Sequence, residues 1–285
     1  VLYQSNGKIV ISMPGVPYEM KGMMQNDVLP WLKQNLNLPT IINETILTAG
    51  KGESQIAQRI KHIEDSLPKN IKIAYLPNIG TVKLRLTAKG NDYNQLKSEI
   101  EIEKQKILKE VGHYVYGFNS DVLEASIGRR LTEMGLTIST AESCTGGSVA
   151  KLLTATSGSS AYFKGAIVAY SNEIKEKLLG VKNETLKENG AVSEPVVSEM
   201  IKGAVTTIGT DVAIAVSGVA GPTGGSEEKP VGTVYIGVGT IENQYVRRFQ
   251  FTKERDKNIE ISAVVALVML RKFLATQFAE SYKKE

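Results

Sequence analysis

The sequence predicts an α/β protein: a C-terminal three-layer domain with helices on both faces of a sheet, preceded by a small α+β domain and the tail end of a truncated α/β domain. Three observations carry this. From Val122 onward, short β-branched runs alternate with segments whose apolar residues recur at helical spacing, which is the pattern of a sheet covered on both sides. Between Thr40 and Tyr116 the order is instead βαββα with a short final strand. Residues 1–38 come before that, and so short a stretch cannot bury a core of its own. The expected domains are 1–38, 39–116 and 117–285, with Gly117-Phe118-Asn119-Ser120 as the linker.

The first element is a hairpin, Val1 to Gln4 and Lys8 to Met13, around the tight-turn pair Asn6-Gly7. Because the chain opens inside a hairpin and on Val1, it is expected to begin within a domain whose earlier part is absent. A helix from Tyr18 to Gln34 follows, bent or shortened by Pro30. The middle domain has strand Ile41 to Thr48, helix Glu53 to Leu67, strands Ile71 to Leu76 and Thr81 to Ala88, helix Tyr93 to Val111 and strand His113 to Tyr116. The last domain opens with helix Val122 to Met134, strand Leu136 to Thr140, helix Ser148 to Thr154, strand Gly165 to Ala169 and helix Ser171 to Leu179. Helix Val196 to Ile208, strand Asp211 to Val216, strands Val231 to Gly239 and Gln244 to Phe251, and helix Asp256 to Phe278 complete it.

Composition narrows the function classes. With 34 basic and 30 acidic residues in 285, the net charge of +4 forms no basic block, so direct nucleic-acid binding is not expected. The longest apolar run, Ile261 to Leu270, is too short to span a bilayer, and no signal segment is visible. A single cysteine, Cys144, excludes an intrachain disulfide framework and suits a cytoplasmic location.

The chemistry centres on Ala141-Glu142-Ser143-Cys144-Thr145-Gly146-Gly147, which closes one expected strand and opens a helix. A strand that turns sharply into a helix leaves backbone N–H groups aimed at one spot, here near Thr145, Gly146 and Gly147. Two readings of Ser143 stand at this point, a helix cap and a nucleophile. Both histidines, His62 and His113, precede the last domain, which rules out a serine–histidine–aspartate triad and a histidine metal site there. A base for Ser143 must therefore be another group, and a buried lysine can serve because desolvation penalises its ammonium form. Lys175 is the candidate: it lies on a helix that starts at the same strand-end edge, with Asn172 three residues before it on the same face and Tyr170 placed to pass or steady a proton. Cys144, with no histidine to pair with, ranks as a small buried residue. The third feature runs from Ser217 to Gly232, with five glycines and two prolines. Ser217, Gly218, Gly221, Gly224 and Gly225 make it a loop suited to phosphate or carboxylate, although its spacing matches neither a dinucleotide fold nor a P-loop. Arg255, just before the last helix, can meet a phosphate in bidentate fashion.

These segments together resemble the CinA family of competence- and damage-inducible proteins. The resemblance rests on Ala141 to Gly147, Tyr170-Ser171-Asn172, Gly190 to Val197, and Gly218 to Pro222 continuing through Gly224 to Val234. Upstream, Met13-Pro14-Gly15-Val16-Pro17 looks like the end of the family's molybdopterin-binding-like domain, and Ala74-Tyr75-Leu76-Pro77 like part of its small middle domain. The resemblance implies a C-terminal nicotinamide mononucleotide deamidase, with Ser143 as nucleophile, Lys175 as base, Tyr170 nearby and Arg255 at the phosphate. It further implies no cofactor for that reaction and a homodimer. A divalent metal belongs to the family's N-terminal ADP-ribose cleavage, an activity not expected of this chain. The sequence departs from the family at Ile259, Glu260 and Ile261, where a further arginine is common. A catalytically silent nucleotide-binding module, or an interaction protein in competence or DNA repair, are the alternatives.

Overall fold

A computed structural model describes residues 2–278; Val1, the first residue of the expected hairpin, lies outside them. Strands β1 (Leu2–Ser5) and β2 (Lys8–Ile11) pair antiparallel around Asn6-Gly7. Helices α1 (Pro17–Met23) and α2 (Leu29–Asn35) are joined by a π turn, Met24–Val28. That wider turn, in which Leu29 N–H reaches the carbonyl of Met24, accommodates the Pro30 ring, so the helix continues past the proline. Val28 is the one buried residue among the described residues of this region, in keeping with its short length.

The second unit is an antiparallel sheet of order β4-β5-β3-β6: β3 (Thr40–Ala49), β4 (Ile71–Asn78), β5 (Thr81–Gly90) and β6 (Val115–Phe118). Helices α3 (Glu53–Asp65) and α4 (Tyr93–Val111) pack Ile56, Ile60, Leu96, Ile100 and Ile107 with Ile46, Leu84 and Leu86 of the sheet. The expected linker is corrected here. Gly117 and Phe118 pair with Leu47 and Ile46, so the expected boundary at residue 116 falls inside β6, and His113 sits in a 3-10 turn before it. The aromatic and β-branched run of β6 satisfies its backbone in the sheet, which a linker reading overlooks.

The third unit has the expected three layers. Its sheet, β11-β10-β9-β7-β8, comprises β7 (Ile138–Glu142), β8 (Phe163–Val168), β9 (Val212–Gly218), β10 (Thr233–Gly239) and β11 (Gln244–Gln250). Strands β8, β7 and β9 are parallel, β10 runs antiparallel to β9, and β11 antiparallel to β10. Alternation along β9 sorts the two faces: Val212, Ile214 and Val216 meet α5 (Leu123–Glu133), α6 (Ser148–Thr154) and α10 (Arg255–Gln277). On the other face, Ala213 and Ala215 meet α7 (Asn172–Leu179) and α9 (Glu194–Ile208). A short helix α8 (Asn183–Asn189) between them was not expected; it is mostly polar, with Leu186 as its one buried residue.

The chain leaves β7 for β8 on one side and later returns for β9 on the other, so strand order reverses at β7. Ligands of such sheets bind beyond the carboxyl end of the strand at this switch. Helix α9 also lies tight against α7: a Cβ added at Gly203 would come 2.0 Å from the carbonyl oxygen of Leu179. Gly203→Ala is expected to lower stability by about 1–3 kcal/mol through overpacking. Urea unfolding measures this, and an unchanged midpoint would contradict the close helix contact.

Candidate active site

Ser143 follows directly on β7, and its N–H donates to the carbonyl of Val216, which keeps it registered on β9 after the strand has ended. The turn to α6 then passes through Gly146 and Gly147, at φ 59° and 99°. Both values lie in the left-handed region that favours glycine, and this explains both residues. On the opposite side of the sheet end, the hydroxyl of Ser171 caps α7 by accepting from Ile174 N–H. One turn further on, Lys175 points inward and is 1% exposed. Its Nζ lies 2.9 Å from the carbonyl oxygen of Ala169 and 3.2 Å from Ser143 Oγ. Ser143 is itself buried.

Burial lowers the Lys175 pKa from its ordinary 10.5, because removing water penalises the ammonium form. Burial acts oppositely on Cys144, pushing its thiol up to about 12. Cys144 is therefore protonated at neutral pH and, as expected, a small buried residue rather than a nucleophile.

The pair opens into a cavity of about 220 Å³ bounded by Cys144, Tyr170, Asn172, Ala191, Val192, Ser217, Gly218, Ala220 and Arg255. Arg255, the first residue of α10, donates to the carbonyl of Gly221 at 2.8 Å and to the hydroxyl of Tyr170 at 2.8 Å. Tyr170 thus meets the guanidinium at the rim, and its hydroxyl is hydrogen-bonded neither to Ser143 nor to Lys175 among the described residues. Ser217 donates to the carbonyl of Ala191, and Lys229 Nζ to that of Asn189, so the glycine-rich loop is tied to the segment that supplies Ala191 and Val192.

Of the residues singled out from sequence, Ser143, Lys175, Tyr170, Asn172, Ser217, Gly218 and Arg255 converge on this cavity. Thr145, Gly146 and Gly147 do not line it, and neither do Gly221, Gly224 and Gly225. Gly146 N–H donates to the carbonyl of Ser143 and Gly147 N–H to Glu142, which removes these two amides from ligand contact. The amide of Thr145 donates to no protein acceptor among the described residues, and that of Cys144 faces its own thiol. Gly221 contributes through its carbonyl, which holds Arg255, and a Cβ at Gly225 would lie 2.7 Å from the amide of Val231, so that glycine packs within the protein. Ala191 and Val192 were not singled out as site residues; the Gly190 to Val197 match was their only signal.

A larger cleft of about 490 Å³ lies between the second and third units, with Tyr116, Asp121, Arg129 and Glu133 in its wall. Among the described residues its wall holds no pair like Ser143 and Lys175. Among the described residues no group of three or more histidine, cysteine, aspartate or glutamate side chains is arranged to hold a metal ion, and no helix is long and apolar enough to cross a membrane.

A three-layer α/β domain with a serine–lysine pair at its strand-order switch, carried behind a small α+β unit, is the class defined here. The chain belongs to the CinA family: residues 120–274 match the CinA C-terminal domain, and residues 43–117 match the damage-inducible protein CinA KH domain. It is 44% identical over 278 residues to a CinA-like protein of Flavobacterium psychrophilum, covering 97% of this chain and 66% of the relative. A CinA-like protein of Cytophaga hutchinsonii is 42% identical, with 95% and 65% covered. The chain therefore spans about two thirds of the length of these relatives. Among solved structures, the competence damage-inducible protein A (ComA) of Klebsiella pneumoniae matches with a TM-score of 0.53 at 37% identity, over 54% of this chain and 96% of that one. The competence/damage inducible protein CihA of Agrobacterium tumefaciens gives 0.51 at 40%, over 52% and 91%.

Linkage fixes how Lys175 affects stability. At pH below its folded pKa the ammonium is buried and its penalty is complete; between that pKa and 10.5 the unfolded chain binds more protons, so stability rises with pH. Lys175→Met removes the titration. The stability of this variant relative to wild type is expected to fall between pH 7 and pH 10, measured by denaturant unfolding at both. A difference that stays constant or grows would contradict a depressed lysine.

Proposed function

We propose that the third unit hydrolyses the carboxamide of nicotinamide mononucleotide to nicotinic acid mononucleotide and ammonia, in pyridine nucleotide salvage. The observation that carries this reading is the 3.2 Å approach of a buried lysine amine to Ser143 Oγ at the cavity floor. The family resemblance supplies the substrate. In the first step neutral Lys175 takes the Ser143 proton as Oγ bonds to the carboxamide carbon, whose electrophilicity the pyridinium ring increases. In this reading the tetrahedral oxyanion meets the amide of Cys144, a cavity-wall residue next to the nucleophile, with that of Thr145 following it in the chain. The C–N bond then breaks, Lys175 returns the proton to the departing nitrogen, and ammonia leaves an ester on Ser143. Water attacks that ester, gives its proton to Lys175, and the enzyme is restored as Ser143 is reprotonated. The route uses no metal or organic cofactor.

The nucleotide's phosphate is assigned to the rim. Arg255 uses two of its five N–H donors on Gly221 and Tyr170, and the remainder are available to an anion. Tyr170 holds the guanidinium in place in this reading, and Asn172, Ser217 and Gly218 contact the ribose side of the cavity.

Ser143→Ala and Lys175→Ala are each expected to reduce ammonia release from nicotinamide mononucleotide by at least about 100-fold, while both fold. Wild-type turnover in either would refute the assignment. If the wild-type chain binds the mononucleotide yet releases no ammonia, the domain is a silent binding module. Arg255→Ala is expected to raise KM about 10–100-fold with a smaller change in kcat, as for loss of a charged hydrogen bond. An unchanged KM would place the phosphate elsewhere.

A further inference from the structure

Glu142 ends β7 immediately before Ser143 and is completely buried. No cation pairs with it among the described residues; its carboxylate instead collects four donors. Oε2 accepts from Gly147 N–H at 2.9 Å and Val149 N–H at 3.1 Å, and Oε1 from Ala150 N–H at 2.8 Å and Thr140 Oγ1 at 3.1 Å. The side chain therefore reaches across the turn and binds its far end. Ser143 is bonded to β9 at one end of the turn, and Glu142 grips the other.

We propose that Glu142 is a positioning residue, a carboxylate clamp that sets the turn 143–147 so that Ser143 Oγ meets Lys175 Nζ. The clamp also narrows which amides can serve the oxyanion: it consumes those of Gly147, Val149 and Ala150 and leaves that of Thr145 without a protein acceptor, with that of Cys144 facing its own thiol. This rests on the proposed deamidation for its kinetic consequence, but the clamp itself is a property of the fold. An amide in place of the carboxylate keeps the size yet offers an NH₂ group to donors, so at least one of the four contacts must turn repulsive or be lost. An aspartate keeps the charge but is one methylene shorter.

The test compares the wild-type chain, Glu142→Gln and Glu142→Asp by hydrogen exchange and by steady-state kinetics with nicotinamide mononucleotide. In Glu142→Gln, exchange at Gly147, Val149 and Ala150 is expected to accelerate about 10-fold or more, while β9 and α9 stay protected. Its kcat is expected to fall about 100-fold, in the range for a misplaced oxyanion site, with KM changed less than about threefold. Glu142→Asp should lie between the two and serves alone if Glu142→Gln does not fold. Unchanged exchange, or fast exchange with wild-type kcat, overturns the clamp. Loss of kcat and KM in step with global unfolding reduces Glu142 to a stabilising cap. If wild type itself releases no ammonia, the deamidase reading fails, and the exchange arm alone decides the clamp.

Discussion

The site depends on keeping one amine dry. Lys175 heads the fully buried side chains of the described residues when these are ranked by size, and a charged ammonium is costly to place there. What makes the position tolerable is that the carbonyl of Ala169 and Ser143 Oγ both lie within hydrogen-bonding distance of the nitrogen. The surrounding architecture supplies the burial. The alanines of β9 face α9 across the sheet, and Gly203 lets that helix close against the end of α7, the helix that carries Lys175. Folding energy is thereby committed to lowering a pKa.

Ser143 stands between two buried side chains with different partners. On one side Lys175 is desolvated with few partners, so its charge is disfavoured; on the other, Glu142 has four donors that satisfy a carboxylate. The glycines between them, at positive φ, let the chain double back within five residues of the strand end. An amine and a hydrogen-bonded turn are thus assembled around one hydroxyl without a histidine. The rim is organised separately, by Arg255 on Tyr170 and Gly221 and by the links from Ser217 and Lys229 to the α8–α9 loop.

Much of this was legible from sequence because it follows from periodicity. The alternation beyond Val122 identified the layers, and the absence of histidine there pointed to Lys175. Polar α8 was overlooked because its one buried residue, Leu186, makes no apolar stripe. Gly117 and Phe118 were read as linker because a glycine beside polar residues looks like a break, while their pairing with β3 is set by residues some seventy positions away. The glycines of the turn after Ser143 are required by backbone angle, and no sequence displays φ. Ala191 and Val192 carry no chemical signature, so their place in the cavity wall becomes visible only when the loop is seen tied to Ser217.

The central claim is that Lys175 loses its proton more readily than an ordinary lysine. It is tested most directly by labelling lysine Cε with ¹³C and following each resonance through a pH titration, with Lys175→Arg used to assign the signal. The account predicts one resonance, missing in the variant, that titrates below 10.5 while exposed lysines stay near that value. A Lys175 resonance that titrates with the exposed lysines, or above them, would contradict it.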